Sequence, residues 1–132
     1  MKHRTSELVG AHLDLAVALT GEWSTAHELF PTMTLDPTFS GARIAELSSG
    51  PVCLLVPRNP MRQDPERYSP STDWGIGGPI IERERLCVAF TSGGWRGLMS
   101  GDNQFPSFGP TPLIAAMRCF VAGKLGEEGE LP

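Results

Sequence analysis

Prolines and glycines interrupt this chain so often that most of it cannot hold a long regular element. Proline (12) and glycine (15) are scattered through the 132 residues. A proline removes a backbone donor and a glycine loosens the backbone, so this punctuation predicts short elements joined by ordered turns. Two stretches, one near each end, escape it and carry helical patterning. The first starts at Thr5 or Ser6 as N-cap, with Glu7 in the first turn. Leu8, His12, Leu15 and Leu19 then fall on one face, flanked by Ala11 and Ala16, and Gly21 closes the run. Leu13 and Val17 point the other way, which predicts a helix covered on two sides. His12 lies at the centre of the stripe and reads as a core histidine with one hydrogen bond, or alternatively as part of a pocket wall.

The second helical stretch is more strongly specified. Thr111 is a good N-cap and Pro112 takes the first helical position, where its missing N–H is no loss. Leu113, Ala116, Met117, Phe120 and Val121 build one face, Leu125 extends it, and Gly126 ends it. The remaining "EEGELP", residues 127–132, reads as an acidic frayed tail, leaving 1–126 as one α+β domain.

Between the helices the signals are for strands. "PVCLLVP", residues 51–57, is an apolar run bounded by prolines and reads as a buried strand. "LCVAFTSGGWRGLM", residues 86–99, reads as a hairpin turning at Gly93–Gly94, where glycines supply the positive φ of a tight turn. "ARIAEL" suits either a strand or one helical turn, and residues 23–50 as a whole show no clear pattern. "RNPMRQDPERYSPSTDW" reads as a long proline-rich surface loop and "SGDNQFPSFGP" as a second loop. The expected fold is therefore α+β: a small, mostly antiparallel sheet with a β-hairpin, packed against N-terminal and C-terminal helices.

Charge and composition exclude several function classes. A net charge of −4 argues against a general nucleic-acid binder, whose affinity rests on cationic neutralisation of phosphates. No apolar run approaches the roughly 20 residues of a membrane span, and "MKHRTSELVG" has no apolar stretch behind its basic start, so the expected location is the cytoplasm. Cys53, Cys87 and Cys119 are far apart in apolar neighbourhoods and read as buried free thiols. His3, His12 and His27 show no metal-ligand spacing, and no G-x-S-x-G elbow is present. No catalytic residue, metal or cofactor is expected.

One stretch has more local structure than a linker needs: "YSPSTDWGIGGPIIERE", residues 68–84. Ser71, Thr72 and Asp73 are N-cap types that also bond nearby amides in turns. Gly77-Gly78-Pro79 then leads into a short helix, with Pro79 in its first turn, Ile80 and Ile81 docked on the core and "ERER", 82–85, as a solvated charged face. Glycine-rich backbone at a helix start offers N–H donors suited to an anion or phosphate, and Tyr68 and Trp74 add flat surfaces for a ring. The candidate ligand-binding residues are thus Tyr68, Ser71, Thr72, Asp73, Trp74, Gly77 and Gly78. The alternative is a packed surface turn that only organises the helix. "FGPTPL" invites the same two readings, with a plain N-cap preferred.

Three stretches, "TSELVGAHLDLAVA", "YSPSTDWGIGGPIIERE" and "GPTPLIAAMRCFVAGKLGEE", together resemble a phage- and prophage-encoded family of small proteins of unknown function, the NinX-like proteins. The resemblance implies a context, a phage accessory protein acting in the bacterial cytoplasm, and no particular chemistry. Two main readings follow. In the first, a non-enzymatic protein sequesters an anionic small molecule of nucleotide type, such as a host defence signal. In the second, a protein–protein interaction module inhibits or redirects a host protein through the proline-rich loop and exposed aromatics. A nucleotide-modifying enzyme is the third. The exposed hairpin edge favours a homodimer.

Overall fold

A computed structural model describes residues 2–20, 39–61, 64–99 and 106–131. Their order is β1 (Lys2–Arg4), a single 3-10 turn (Thr5–Glu7), α1 (Gly10–Leu19), β2 (Phe39–Leu47), β3 (Gly50–Pro57), β4 (Glu66–Arg67), α2 (Trp74–Glu84), β5 (Leu86–Thr91), β6 (Gly94–Met99), β7 (Ser107–Gly109), α3 (Pro112–Leu125) and β8 (Glu128–Glu130). The class is α+β, as expected. In place of one sheet there are three small antiparallel ones, ordered β1-β8, β2-β3-β4 and β5-β6-β7. Helix α1 packs on β2 and β3, whereas α3 covers all three strands of β5-β6-β7 and also touches α1, α2 and the 3-10 turn. Helix α3 is therefore the centre of the molecule.

Its cap is as the residues dictate: the Thr111 hydroxyl accepts from the Ile114 amide at 3.1 Å, and Pro112 follows. Every residue from Ala115 to Val121 is buried, so α3 has no polar face. The sheet approaches it so closely that a Cβ on Gly97 would lie 2.6 Å from the Ala115 carbonyl oxygen. Side chains there would push the layers apart, which is why β6 presents a glycine. Leu125, expected to extend the buried face, is 43% exposed.

Several expectations are corrected. Helix α1 starts at Gly10, not at Thr5 or Ser6. Thr5 is buried and caps nothing on α1. Its amide donates to the Glu127 carbonyl at 2.7 Å and its hydroxyl to the Gly126 carbonyl at 2.7 Å. This staple pairs β1 with β8 and buries Leu131, so residues 128–131 are not a frayed tail. The stripe expected on α1 is mixed, with Leu8 and Leu15 buried, His12 half-buried and Leu19 44% exposed, while Leu13 and Val17 opposite are fully buried, so the helix is covered on two sides as expected. The hairpin is present, but its two-residue loop is Ser92–Gly93, and the positive φ (122°) falls on Gly94 as the return strand begins. A second hairpin of the same form joins β2 to β3 through Ser48 and Ser49, with Gly50 at φ 120°, so "ARIAEL" is a strand. Ser107–Gly109, assigned to a loop, pairs with β6, and Glu66–Arg67 in the proline-rich segment pairs with β3. Cys53 and Cys119 are buried, but Cys87 is exposed on β5. Gly21, Trp23 and His27 lie outside the described residues.

Two truncations test this arrangement. Thr111→Ala should lower stability by about 1 kcal/mol through loss of the cap. Phe120→Ala should lower it by about 3–5 kcal/mol, because its ring is 1% exposed on the most enclosed helix. Urea denaturation of both variants beside the parent protein gives the comparison; equal losses would mean that α3 is not the core.

Candidate functional site

The stretch from Tyr68 to Glu84 is more helical than its glycines suggest. Asp73 is the N-cap of α2, its carboxylate accepting from the Gly75 amide at 2.8 Å, and the helix runs from Trp74 with Pro79 inside it. Pro79 was expected in a first turn; it lies further in, where its ring faces the carbonyl of Gly75, one turn earlier and free of a side chain. Several backbone donors of this stretch are bonded within the chain. Thr72 and Asp73 amides donate to the Ser69 carbonyl, and Ile76 and Gly77 amides to the Asp73 carbonyl, all at 2.8–3.2 Å. The Ser71 amide donates to Asp14 Oδ1 at 2.8 Å. Six amides of the turn expected to cradle an anion, those of Ser71, Thr72, Asp73, Gly75, Ile76 and Gly77, thus have partners within the protein.

The seven candidate residues differ in exposure. Tyr68 (6% exposed) and Ser71 (1%) point inward, and Gly77 is buried. Thr72 and Asp73 are exposed, and Trp74 is 56% exposed. Gly78 is half-buried along the helix. Gly77 serves packing: a Cβ there would lie 2.7 Å from Leu113 Cδ2 and closer still to the Pro70 carbonyl oxygen. Of the charged end, Glu84 is drawn into contacts with Arg83 at 3.3 Å and Lys124 at 3.4 Å, while Arg85 takes the left-handed cap position at φ 54°.

Two buried charges went unnoticed in the sequence, and both sit on helices without a polar face. Asp14, 4% exposed on α1, is the acceptor that fixes the turn before α2. Burial pushes its carboxyl up to about 6, against opposing pulls from Ser71 and the Arg67 charge. The buried Ser71 hydroxyl makes no hydrogen bond of good geometry, yet lies close enough to favour the ionised carboxylate. Burial, reinforced by Asp14, pushes the neighbouring Cys53 thiol up to about 12, and burial also raises Cys119. Neither thiol is poised as a nucleophile.

Arg118, on α3, is the second. It is 9% exposed, with Nε donating to the Leu8 carbonyl at 2.8 Å and Nη1 to the Phe108 carbonyl at 2.7 Å. Among the described residues no carboxylate pairs with it, and Nη2 has no acceptor. Burial lowers its proton affinity, but a guanidinium stays charged in proteins. It lines a cleft of about 410 Å³ together with Thr5, Ser6, Ser107, Phe108 and Glu127. None of the seven residues expected to bind a ligand lines this cleft. The signal that could have found both charges is a single ionic residue in an otherwise apolar helix: "HLDLAVAL" and "AAMRCFVA".

Fold and cleft define a small α+β protein with a buried cation, held by two carbonyls, beside an opening, and no three His, Cys, Asp or Glu side chains cluster as metal ligands among the described residues. The chain belongs to the family described as "Bacteriophage P22, NinX", which matches over residues 4–124 and so runs through the segments between the three resembling stretches. Among curated proteins none matches the chain. No helix among the described residues is long and apolar enough to cross a membrane.

Two predictions come from this geometry. Gly77→Ala should destabilise by about 1–3 kcal/mol through overpacking, whereas Gly78→Ala, whose Cβ would meet only Trp74 Cε3 at 4.0 Å, should be neutral or stabilise by up to about 1 kcal/mol; thermal melts distinguish them. Because the folded carboxyl of Asp14 binds its proton more tightly than an unfolded one, its contribution is fully present below pH 4 and is lost as pH rises through about 6. The loss amounts to something on the order of 3 kcal/mol. Asp14→Asn should therefore gain on the parent protein between pH 4 and pH 7.5 in urea denaturation. Parallel pH profiles would show that Asp14 titrates normally.

Proposed function

We propose that this phage-family protein works by binding a small anionic ligand, without altering it, at the cleft beside Arg118. The observation that carries this reading is a buried guanidinium with no carboxylate partner among the described residues, lining an opening of small-molecule size. Burying a charge is expensive unless something compensates it. Two carbonyls do so in part, and an incoming anion would do so more fully by a charge-assisted bond to the remaining edge of the guanidinium. The opening's volume falls within the range of ligand sites, about 300–1,000 Å³.

In a phage accessory protein, sequestration of a host's nucleotide-type signal is the role that such a site would serve. No residue of the Tyr68–Gly78 turn is among those that line the cleft. Thermal melts with phosphate, sulfate, acetate and chloride at matched ionic strength test the reading. Phosphate should raise Tm by mass action, and Arg118→Met should abolish the rise. Because that variant removes two hydrogen bonds, Ser107→Ala serves as a second probe, expected to fold normally and to weaken the phosphate effect severalfold. Equal melting in all four salts would overturn the proposal.

A further inference from the structure

Resting on that reading, we infer that the Arg118 cleft is shaped for a single ribonucleotide, one phosphate with one sugar and one ring, and not for a cyclic di- or oligonucleotide. Its lining offers three kinds of chemistry. Arg118 supplies the only buried cation among the lining residues, enough for one phosphate group in a bidentate or single contact. Phe108, 51% exposed on β7, stands between Pro106 and Pro110 in the same lining. Phe108 is on a short strand fixed by pairing with β6, the prolines flank that strand, and these apolar surfaces suit stacking by a base or ring.

Glu127 is the discriminating residue. It is exposed in the lining, and its backbone is fixed because its carbonyl accepts from Thr5. A carboxylate at an anion site repels a second phosphate and any anion that fills the whole cleft. It would instead accept hydrogen bonds from hydroxyls, as a sugar diol offers. The Ser6 and Ser107 hydroxyls add neutral donors. A ligand meeting all three zones carries one phosphate, a diol and a ring. The volume of about 410 Å³ is at the low end for small-molecule sites, which leaves room for one nucleotide.

Isothermal titration calorimetry of the full chain at fixed ionic strength tests this, using inorganic phosphate, the four ribonucleoside 5′-monophosphates, the matching nucleosides, one 2′-deoxynucleoside monophosphate and cyclic di-AMP. At least one ribonucleotide should bind tenfold or more tightly than both inorganic phosphate and its own nucleoside. Phe108→Ala should erase that advantage while leaving phosphate affinity unchanged, and Glu127→Gln should erase the preference over the deoxynucleotide; both positions are exposed, so the fold survives. If phosphate binds and no ribonucleotide improves on it, or if cyclic di-AMP binds more tightly than every mononucleotide, this inference fails while the anion-binding reading stands. If neither phosphate nor any nucleotide binds, both fall together.

Discussion

A guanidinium inside the protein holds three separate segments at once. From α3, Arg118 reaches the Leu8 carbonyl, where the 3-10 turn passes toward α1, and the Phe108 carbonyl on β7. Each such bond to a charged donor contributes about 1.5–3 kcal/mol, and together they set where the chain before α1 and the third strand of β5-β6-β7 lie against α3. The same side chain carries a charge with no carboxylate opposite it among the described residues. A protein of net charge −4 thus keeps one positive site at depth. Structure and electrostatics there have a single source, and the cleft exists because those three segments meet around it.

Helix α3 can occupy the centre only because its neighbours yield space. Gly97 lets β6 come within contact of the Ala115 backbone, and Gly77 lets α2 lie against Leu113. The second buried charge, Asp14, does for α2 what Arg118 does for β7: it fixes a connecting segment by bonding its backbone, here the Ser71 amide. No ion pair joins the two charges. Each is held by backbone groups of the opposite polarity, so each stabilises a junction at the expense of its own hydration. Asp14 shows that expense in its raised carboxyl.

Much of this was legible in the residues, and the rest failed for identifiable reasons. Thr111-Pro112 and Gly126 bounded α3 well because capping is local chemistry. The start of α2 was misplaced because three glycines and a proline argue for a loop; packing of Gly77 against Pro70 and Leu113 and the Asp73 cap override that propensity. The stripe expected on α1 is buried at Leu8 and Leu15 and the opposite side is buried at Leu13 and Val17, because the helix packs on β2 and β3 and also against α3. Ser107–Gly109 and Glu128–Glu130 are too short for a period-two pattern, and partners far along the chain make them strands. Hydroxyls and glycines mark the turn before α2 in the sequence, but the partner of the Ser71 amide, Asp14, lies 57 residues away and leaves no local signal.

The position of the cleft links binding to the closure of the chain. Thr5 and Glu127 both line it, and they are also the two residues whose hydrogen bond joins the N-terminal turn to the segment after α3. Phe108, on its far wall, is held by the same Arg118 that faces the opening. An anion seated on Arg118 would therefore touch the 3-10 turn, β7 and the segment following α3, three elements that come from both ends of the sequence. Its binding energy would add to contacts that the terminal ribbon β1-β8 alone makes weakly, since a two-stranded ribbon has little independent stability. A site built across a closure of this kind would couple ligand to fold without any moving domain.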